Sequence, residues 1–335
     1  MKPTLWFLVA CLCFLPAYSQ LPDFYQTVDR LIWVVEDMDQ TLAELQKLGF
    51  TNLRDFGFVQ LTGAQYRGAP TDGEARVVFG RFGNVRVQWV EPRGGHNAFQ
   101  DFRHRHGSGV FSLMHRTPSA EAFQAEVDRL SGLGVNVLQA GEVPFDAGTI
   151  RYTFFDTAPE GKYTLGLLHF PNDNEGPFLI PPDNPSGRTV SQFAFVVKAL
   201  EPVSAYWARL GWPAMQITHG PLTDKKFRGR PADFDMKLGW QRHGQVVYEW
   251  ILSTRGPDIY GEHLEEHGEG FHHLAFQVED MDADLAWWAE RGYPETMSGG
   301  WGEKGKPGSG RFAYVDARRL GGIALELLWN FRASR

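Results

Sequence analysis

The feature that most constrains this chain is an internal repeat. Tyr66-Arg67-Gly68-Ala69-Pro70-Thr71-Asp72 returns as Phe227-Arg228-Gly229-Arg230-Pro231-Ala232-Asp233, a displacement of 161 residues. The same displacement carries Gly83-Asn84-Val85-Arg86-Val87-Gln88-Trp89 onto Gly244-Gln245-Val246-Val247-Tyr248-Glu249-Trp250. It is 162 near the start, where Leu48-Gly49-Phe50 falls on Leu210-Gly211-Trp212, and 160 near the end, where Arg151 to Asp156 matches Arg311 to Asp316. Two copies of one design must fold alike. Between them run Pro171-Asn172-Asp173-Asn174-Glu175-Gly176-Pro177 and Pro181-Pro182-Asp183-Asn184-Pro185-Ser186-Gly187, which is linker chemistry. The expected domains are therefore 20–170 and 189–335, joined by a linker over 171–188.

Each half divides again. Leu31 to Val35 reads as a buried strand, Met38 to Leu48 as an amphipathic helix stopped by Gly49, and Ala75 to Phe79 and Val85 to Val90 as further strands. Comparable openings recur at Gly109-Val110-Phe111, Ser191-Gln192-Phe193 and His272-His273-Leu274. In the fourth, Asp282 to Arg291 is the helix, its start marked by Asp280 and Asp282, and Arg311 to Asp316 and Gly322 to Trp329 close the unit. The fold class is α+β: four βαβββ modules, each exposing one sheet face, which must pair into two cups.

With 335 residues and 43% hydrophobic positions the chain can fill two cores, and disorder is excluded. Lys and Arg total 33 against 40 Asp and Glu, with no basic run to neutralise a phosphate backbone, so no nucleic-acid partner is expected. The only two cysteines, Cys11 and Cys13, sit in the apolar stretch Leu5 to Ala17. That stretch follows Lys2, is too short to span a bilayer, and ends in the small-x-small pattern Ala17-Tyr18-Ser19. Residues 1–19 are thus expected to be a signal peptide, directing secretion or a periplasmic location. Leu8-Val9-Ala10-Cys11 also resembles a lipoprotein processing site, with Cys11 as the anchor. Cleavage after Ser19 leaves no cysteine, hence no thiolate nucleophile and no Cys-ligated metal. No other apolar stretch is long enough to cross a membrane.

Strands alternate their side chains, so each module's first and last strands contribute residues to the enclosed cleft. In the C-terminal half those positions hold Gln192, Glu249, His273 and Glu326. Gln192 and His273 each precede an apolar-Ala-Phe triplet, and Glu326 lies inside Ile323-Ala324-Leu325-Glu326-Leu327-Leu328. A carboxylate in such a run is not buried unpaired. Cation binding explains all four together. His272, facing the other side of its strand by alternation, is the alternative imidazole. The repeated Arg-Gly-x-Pro-x-Asp reads either as a turn whose Asp caps backbone N–H groups or as an anion contact through Arg228.

These residues resemble the vicinal oxygen chelate superfamily, which includes glyoxalase I, methylmalonyl-CoA epimerase and the extradiol dioxygenases. The resemblance covers four modules. It is strongest in Glu265-Glu266-His267-Gly268-Glu269-Gly270-Phe271-His272-His273-Leu274-Ala275-Phe276 and in Arg311 to Asp316 with Gly321 to Leu327. Glyoxalase I ligates its metal with a His or Gln, a Glu, a His and a Glu in this order, which implies Gln192, Glu249, His273 and Glu326 as ligands. At the equivalent N-terminal places stand Arg30, Gln88, Ser112 and Gly166, so the resemblance implies one metal site and a degenerate N-terminal cup.

One amide oxygen, one imidazole and two carboxylates suit Zn²⁺, Ni²⁺, Co²⁺, Mn²⁺ or Fe²⁺. Such a cation stabilises charge when a C–H next to a carbonyl loses its proton, and Glu326 and Glu249 are the candidate catalytic carboxylates. The expected protein is a metal-dependent isomerase, epimerase or lyase acting on a small oxygenated molecule. The alternatives are an Fe(II) extradiol-type dioxygenase, which normally wants a second His where Gln192 stands, and a non-catalytic small-molecule-binding protein. The epimerase's separate acidic base has no match in Met215 to His219.

Overall fold

A computed structural model describes residues 21–146, 148–176, 179–180 and 187–331. The leader 1–19 with Cys11 and Cys13 lies outside the described residues, as do 177, 178 and 181–186 of the linker.

The N-terminal half contributes β1 (Arg30–Val34), α1 (Met38–Lys47), β2 (Arg54–Gln60), β3 (Gln65–Tyr66), β4 (Ala69–Pro70), β5 (Glu74–Phe82) and β6 (Val85–Arg93). It continues through α2 (Ala98–His106), β7 (Gly109–Arg116), α3 (Ala120–Gly132), β8 (Val137–Phe145), β9 (Gly148–Phe155), α4 (Ala158–Gly161) and β10 (Thr164–His169). The C-terminal half opens with β11 (Val190–Val196), α5 (Leu200–Arg209), β12 (Gln216–Thr218), β13 (Leu222–Phe227), β14 (Arg230–Pro231), β15 (Asp235–His243) and β16 (Val246–Arg255). It closes with α6 (Ile259–Glu266), β17 (Gly270–Gln277), α7 (Met281–Glu290), β18 (Glu295–Trp301), β19 (Gly310–Val315) and β20 (Ala324–Asn330).

Each half is one curled ten-stranded mixed sheet. The strand order is β2-β5-β6-β1-β7-β10-β9-β8-β3-β4 in the first and β12-β15-β16-β11-β17-β20-β19-β18-β13-β14 in the second. The two orders are the same with every label raised by ten. The first strands of paired modules meet antiparallel at the centre, β1 on β7 and β11 on β17, and each lies parallel to its own module's last strand. The repeated Tyr66 to Asp72 and Phe227 to Asp233 segments are hairpins that cross to the partner module, where β3 pairs with β8 and β13 with β18. At their tips Arg67, Gly68, Arg228 and Gly229 all have positive φ, the turn whose twist matches a two-residue hairpin. Arg228 is held by Glu262 at 2.6 Å and lines a different cavity from Gln192, so it makes no part of the Gln192 cup. Asp233 takes Lys225 and Arg255 instead of backbone N–H groups.

Alternation divides each sheet into two faces. Leu31, Trp33, Val87 and Trp89 from one half and Phe195, Trp250, Leu274 and Leu325 from the other join a single core shared by both halves, into which the helices pack. Asp37, Asn97, Ser119, Asp258 and Asp280 cap their helices with side-chain oxygens. The opposite, concave faces form two separate clusters, one per cup. Across the halves Trp33 Nε1 donates to Gly321 O at 2.6 Å and Trp207 Nε1 to Gly161 O at 3.0 Å. His106 Nδ1 and His267 Nδ1 each reach the other's carbonyl oxygen at 2.8 Å, a reciprocal pair 161 residues apart.

Gly161 is where a methyl group would be felt. A Cβ there would lie 2.7 Å from both the Trp207 and Tyr206 rings. Gly161→Ala is expected to destabilise the chain by about 1–3 kcal/mol through overpacking, read as a lower urea midpoint at unchanged m-value.

Candidate metal centre

The site in the C-terminal cup is built on one small residue. Ala194 in β11 pairs with Glu249 of β16 on one side and His273 of β17 on the other. The next inward position, Gln192, pairs with Ala275, which in turn pairs with Glu326 of β20. The four sequence-derived residues thus come from four adjacent strands around two alanines, whose short side chains leave the space above them open. Glu249, His273 and Glu326 are buried, and each offers a ligand atom within 4.8 Å of the others'. His273 Nε2 lies 3.2 Å from Glu326 Oε2 and 3.4 Å from Glu249 Oε2.

Gln192 Oε1 lacks a hydrogen-bond partner although it is buried, and Glu249 Oε2 has only its 3.4 Å contact with His273 Nε2. An orphaned acceptor in a low-dielectric site is costly unless a ligand satisfies it. Gln192, Glu249 and Glu326 line one cavity of about 610 Å³ together with Tyr314, Trp240 and Phe312. An amide oxygen, an imidazole and two carboxylates facing shared space fit a divalent cation.

A second layer orients this set. Tyr314 lies opposite Glu326 across the β19–β20 ladder and hydrogen-bonds its carboxylate, and Tyr260 in turn donates to Tyr314 Oη at 2.8 Å. Antiparallel pairing of the two closing strands is the signal that would have singled out Tyr314. His272 departs from simple alternation. The β11–β17 register shifts between Ala194 and Phe195, so His272 is the extra residue of a bulge, and its Nδ1 stands 2.9 Å from His273 Nδ1. Its ring meets Tyr260, His263 and Tyr314 and lines a different cavity from the Glu249 site. That contact leaves His273 Nε2 turned to the carboxylates, as a ligating imidazole needs its other nitrogen engaged.

Burial pushes the Glu249 carboxyl up to about 7. Burial also opposes the charged form of His273, yet Glu326 and Glu249 beside it hold the imidazole up at about 9. At neutral pH the trio therefore retains a proton where a cation would sit. Loading a divalent cation at pH 7 is expected to release about one proton per site, and apparent affinity should fall as pH drops. Calorimetry in buffers of different ionisation enthalpy measures that release.

The N-terminal cup shows the same ladder with different contents. Ile32 takes the place of Ala194, pairing with Gln88 and Ser112, and Met114 takes that of Ala275, pairing with Arg30 and Gly166. A Cβ on Gly166 would lie 2.8 Å from Ser112 Oγ and 2.9 Å from Met114 Cγ, so the room that Glu326 occupies in one cup is filled in the other. Arg30 is buried, bound to Asp29 at 2.7 Å and set against Phe79 and Phe170.

Residues 191–314 match the family profile described as Glyoxalase/Bleomycin resistance protein/Dioxygenase superfamily. No curated protein matches the sequence. Among solved structures, a mutant 4-hydroxymandelate synthase from Streptomyces coelicolor is similar with a TM-score of 0.56 and 17% identity, over 92% of this chain and 93% of that one. A xylose isomerase-like TIM barrel/4-hydroxyphenylpyruvate dioxygenase fusion protein is similar with a TM-score of 0.52 and 14% identity, over 92% of this chain and 50% of that one. This chain therefore spans half the length of the fusion protein. Residues 191–314 thus resemble the Glyoxalase/Bleomycin resistance protein/Dioxygenase (vicinal oxygen chelate) superfamily, and the chain as a whole shares the paired-cup fold of the similar solved structures.

Proposed function

We propose that this protein is a metal-dependent isomerase, epimerase or lyase that moves a proton next to a carbonyl of a small oxygenated molecule. The observation that carries the reading is the buried Glu249, His273 and Glu326 cluster with the orphaned Gln192 oxygen facing the same cavity. Gln192 Oε1, Glu249, His273 Nε2 and Glu326 would hold the cation. When bound, it supplies Lewis-acid polarisation of a substrate carbonyl, which lowers the cost of removing the neighbouring proton.

The chain's own residues supply the rest. Glu326 is anchored by Tyr314 and His273, so it keeps its place. Glu249 Oε2 makes only the longer contact with His273 Nε2, 3.4 Å against 3.2 Å for Glu326, and is the carboxylate freer to take the substrate proton and return it. A base whose pKa lies near the working pH contributes about 10²- to 10⁴-fold. Leu222, Leu238 and Phe312 line the cavity beside these groups and give the transferred proton apolar surroundings.

Metal analysis of the purified protein, followed by solvent-deuterium exchange into 2-oxo and 2-hydroxycarbonyl compounds, tests the proposal. Exchange that depends on a bound divalent ion is the expected result. No retained metal after reconstitution would overturn it. An Fe(II) dioxygenase is the second reading, favoured by the named 4-hydroxyphenylpyruvate dioxygenase fusion among similar structures. Oxygen consumption on Fe²⁺ loading without exchange would establish that reading. One imidazole and two carboxylates, where such iron sites pair two imidazoles with one carboxylate, weigh against it. Metal retention with neither activity would mark a binding protein. On the leader alone, we place the protein outside the cytoplasm.

A further inference from the structure

We infer that the molecule bound in the C-terminal cup is anionic at the end away from the chelating oxygens, and that Arg242 recognises this charge. The inference rests on the reading of Glu249, His273 and Glu326 as the chelating end.

The charge distribution of the cavity points there. Four carboxylate, imidazole or guanidinium side chains line it: Glu249, Glu326, His219 and Arg242. Glu249 and Glu326 face His273, and His219 is held by Asp235 at 2.9 Å. Among the described residues Arg242 makes no ion pair, and it lies exposed in a chain of net charge −7. In such a chain a guanidinium left without a carboxylate partner beside a binding cavity is available to a ligand oxyanion.

Position sets the spacing. Met236, Leu238, Trp240 and Arg242 are alternate residues of β15 and line the same cavity. Trp240 pairs across the ladder with Glu249, so Arg242 stands two residues further along, roughly 7 Å by strand rise.

The walls between them suit a flat apolar body and are held in place. Trp240 Nε1 donates to Thr218 Oγ1 at 2.9 Å, which fixes the indole. Trp301 lies over the bare backbone of Gly310, where a Cβ would overlap the indole, and Phe312 lies 2.7 Å from where a Cβ on Gly299 would stand. Both glycines thus let an aromatic ring settle flat against the sheet. A rigid aromatic platform between a chelating end and an unpaired guanidinium suits a flat molecule with its chelating oxygens at one end and a carboxylate or similar anion at the other.

Catechol and 3,4-dihydroxybenzoate share the chelating pair and differ by a carboxylate across the ring. Their affinities for the Co²⁺-loaded full chain, read from the cobalt absorption spectrum, test the inference. The carboxylate is expected to tighten binding about tenfold or more. R242Q should erase that preference while leaving catechol affinity within about threefold, and R242K should restore most of it. Equal affinities in the unaltered protein, a preference that survives R242Q, or no binding of either probe would overturn the inference. Cobalt retention is measured first. Failure to retain it overturns the metal reading alone if, in metal-free protein, quenching of tryptophan fluorescence still shows a carboxylate preference that R242Q removes. Retention without a preference overturns the anion subsite alone.

Discussion

Replacing Glu326 by glutamine is expected to abolish solvent-deuterium exchange and to weaken metal binding by about a hundredfold or more. Glutamine keeps the size and an acceptor oxygen for Tyr314, so the closing strands keep their register. What goes is a negative charge. Glu326 is one of two buried carboxylates that hold His273 up at about 9, and its charge helps raise Glu249. Removing it relieves a like-charge contact with Glu249 and takes one of two carboxylate partners from His273, which are opposing effects on the stability of the metal-free protein. Metal content is therefore compared in E326Q protein whose urea midpoint shows it to be folded. Full metal content and undiminished exchange in E326Q would sink the site. Arg30→Met is the matched control: metal content should stay unchanged, because its cup is filled by Ile32, Met114 and Phe170. Stability should fall, because buried Asp29 then keeps only Arg86, at 2.8 Å.

Acidification from pH 7 to about 4 is expected to cost the fold about 3 kcal/mol through His115 alone. His115 is fully buried, its Nδ1 donates to Thr27 O at 2.7 Å, and its Nε2 has no partner. Burial pushes its pKa down from 6.5 to about 4. Between those values the unfolded chain binds the proton and the folded chain does not. Stability is therefore complete above about 6.5 and is lost as pH falls toward 4. Burial drives His263 the same way, to about 3. His273 acts in the opposite sense in metal-free protein: its raised pKa stabilises below 6.5, and that contribution is lost as pH rises through about 9. Urea midpoints at pH 7 and 4.5 for the parent and H115Q measure the effect. The variant should lose distinctly less on acidification, and equal losses would show that His115 is not the group responsible.

Much of this architecture was legible because duplication leaves its record in the chain. The shifts of 162, 161 and 160 predict the partners that the ladders show: Arg30 for Gln192, Gln88 for Glu249, Ser112 for His273 and Gly166 for Glu326. The helix start at Asp280 and the helix stop at Gly49 are local signals, and local signals survive in one dimension. Helices α2 and α6, which join the modules, lacked an apolar pattern strong enough to announce them.

What the sequence by itself determined is the repeat, the module starts, and four polar positions that alternation places on one cup face. Only the tertiary structure decided what surrounds them. The bulge that brings His272 onto His273 depends on a register slip between strands about 80 residues apart, and no alternation rule in one strand contains it. Tyr314 belongs with Glu326 because two strands pair. Ala194 and Ala275 hold one cup open where Ile32 and Met114 fill the other, a difference of volume that matters only once four strands stand side by side.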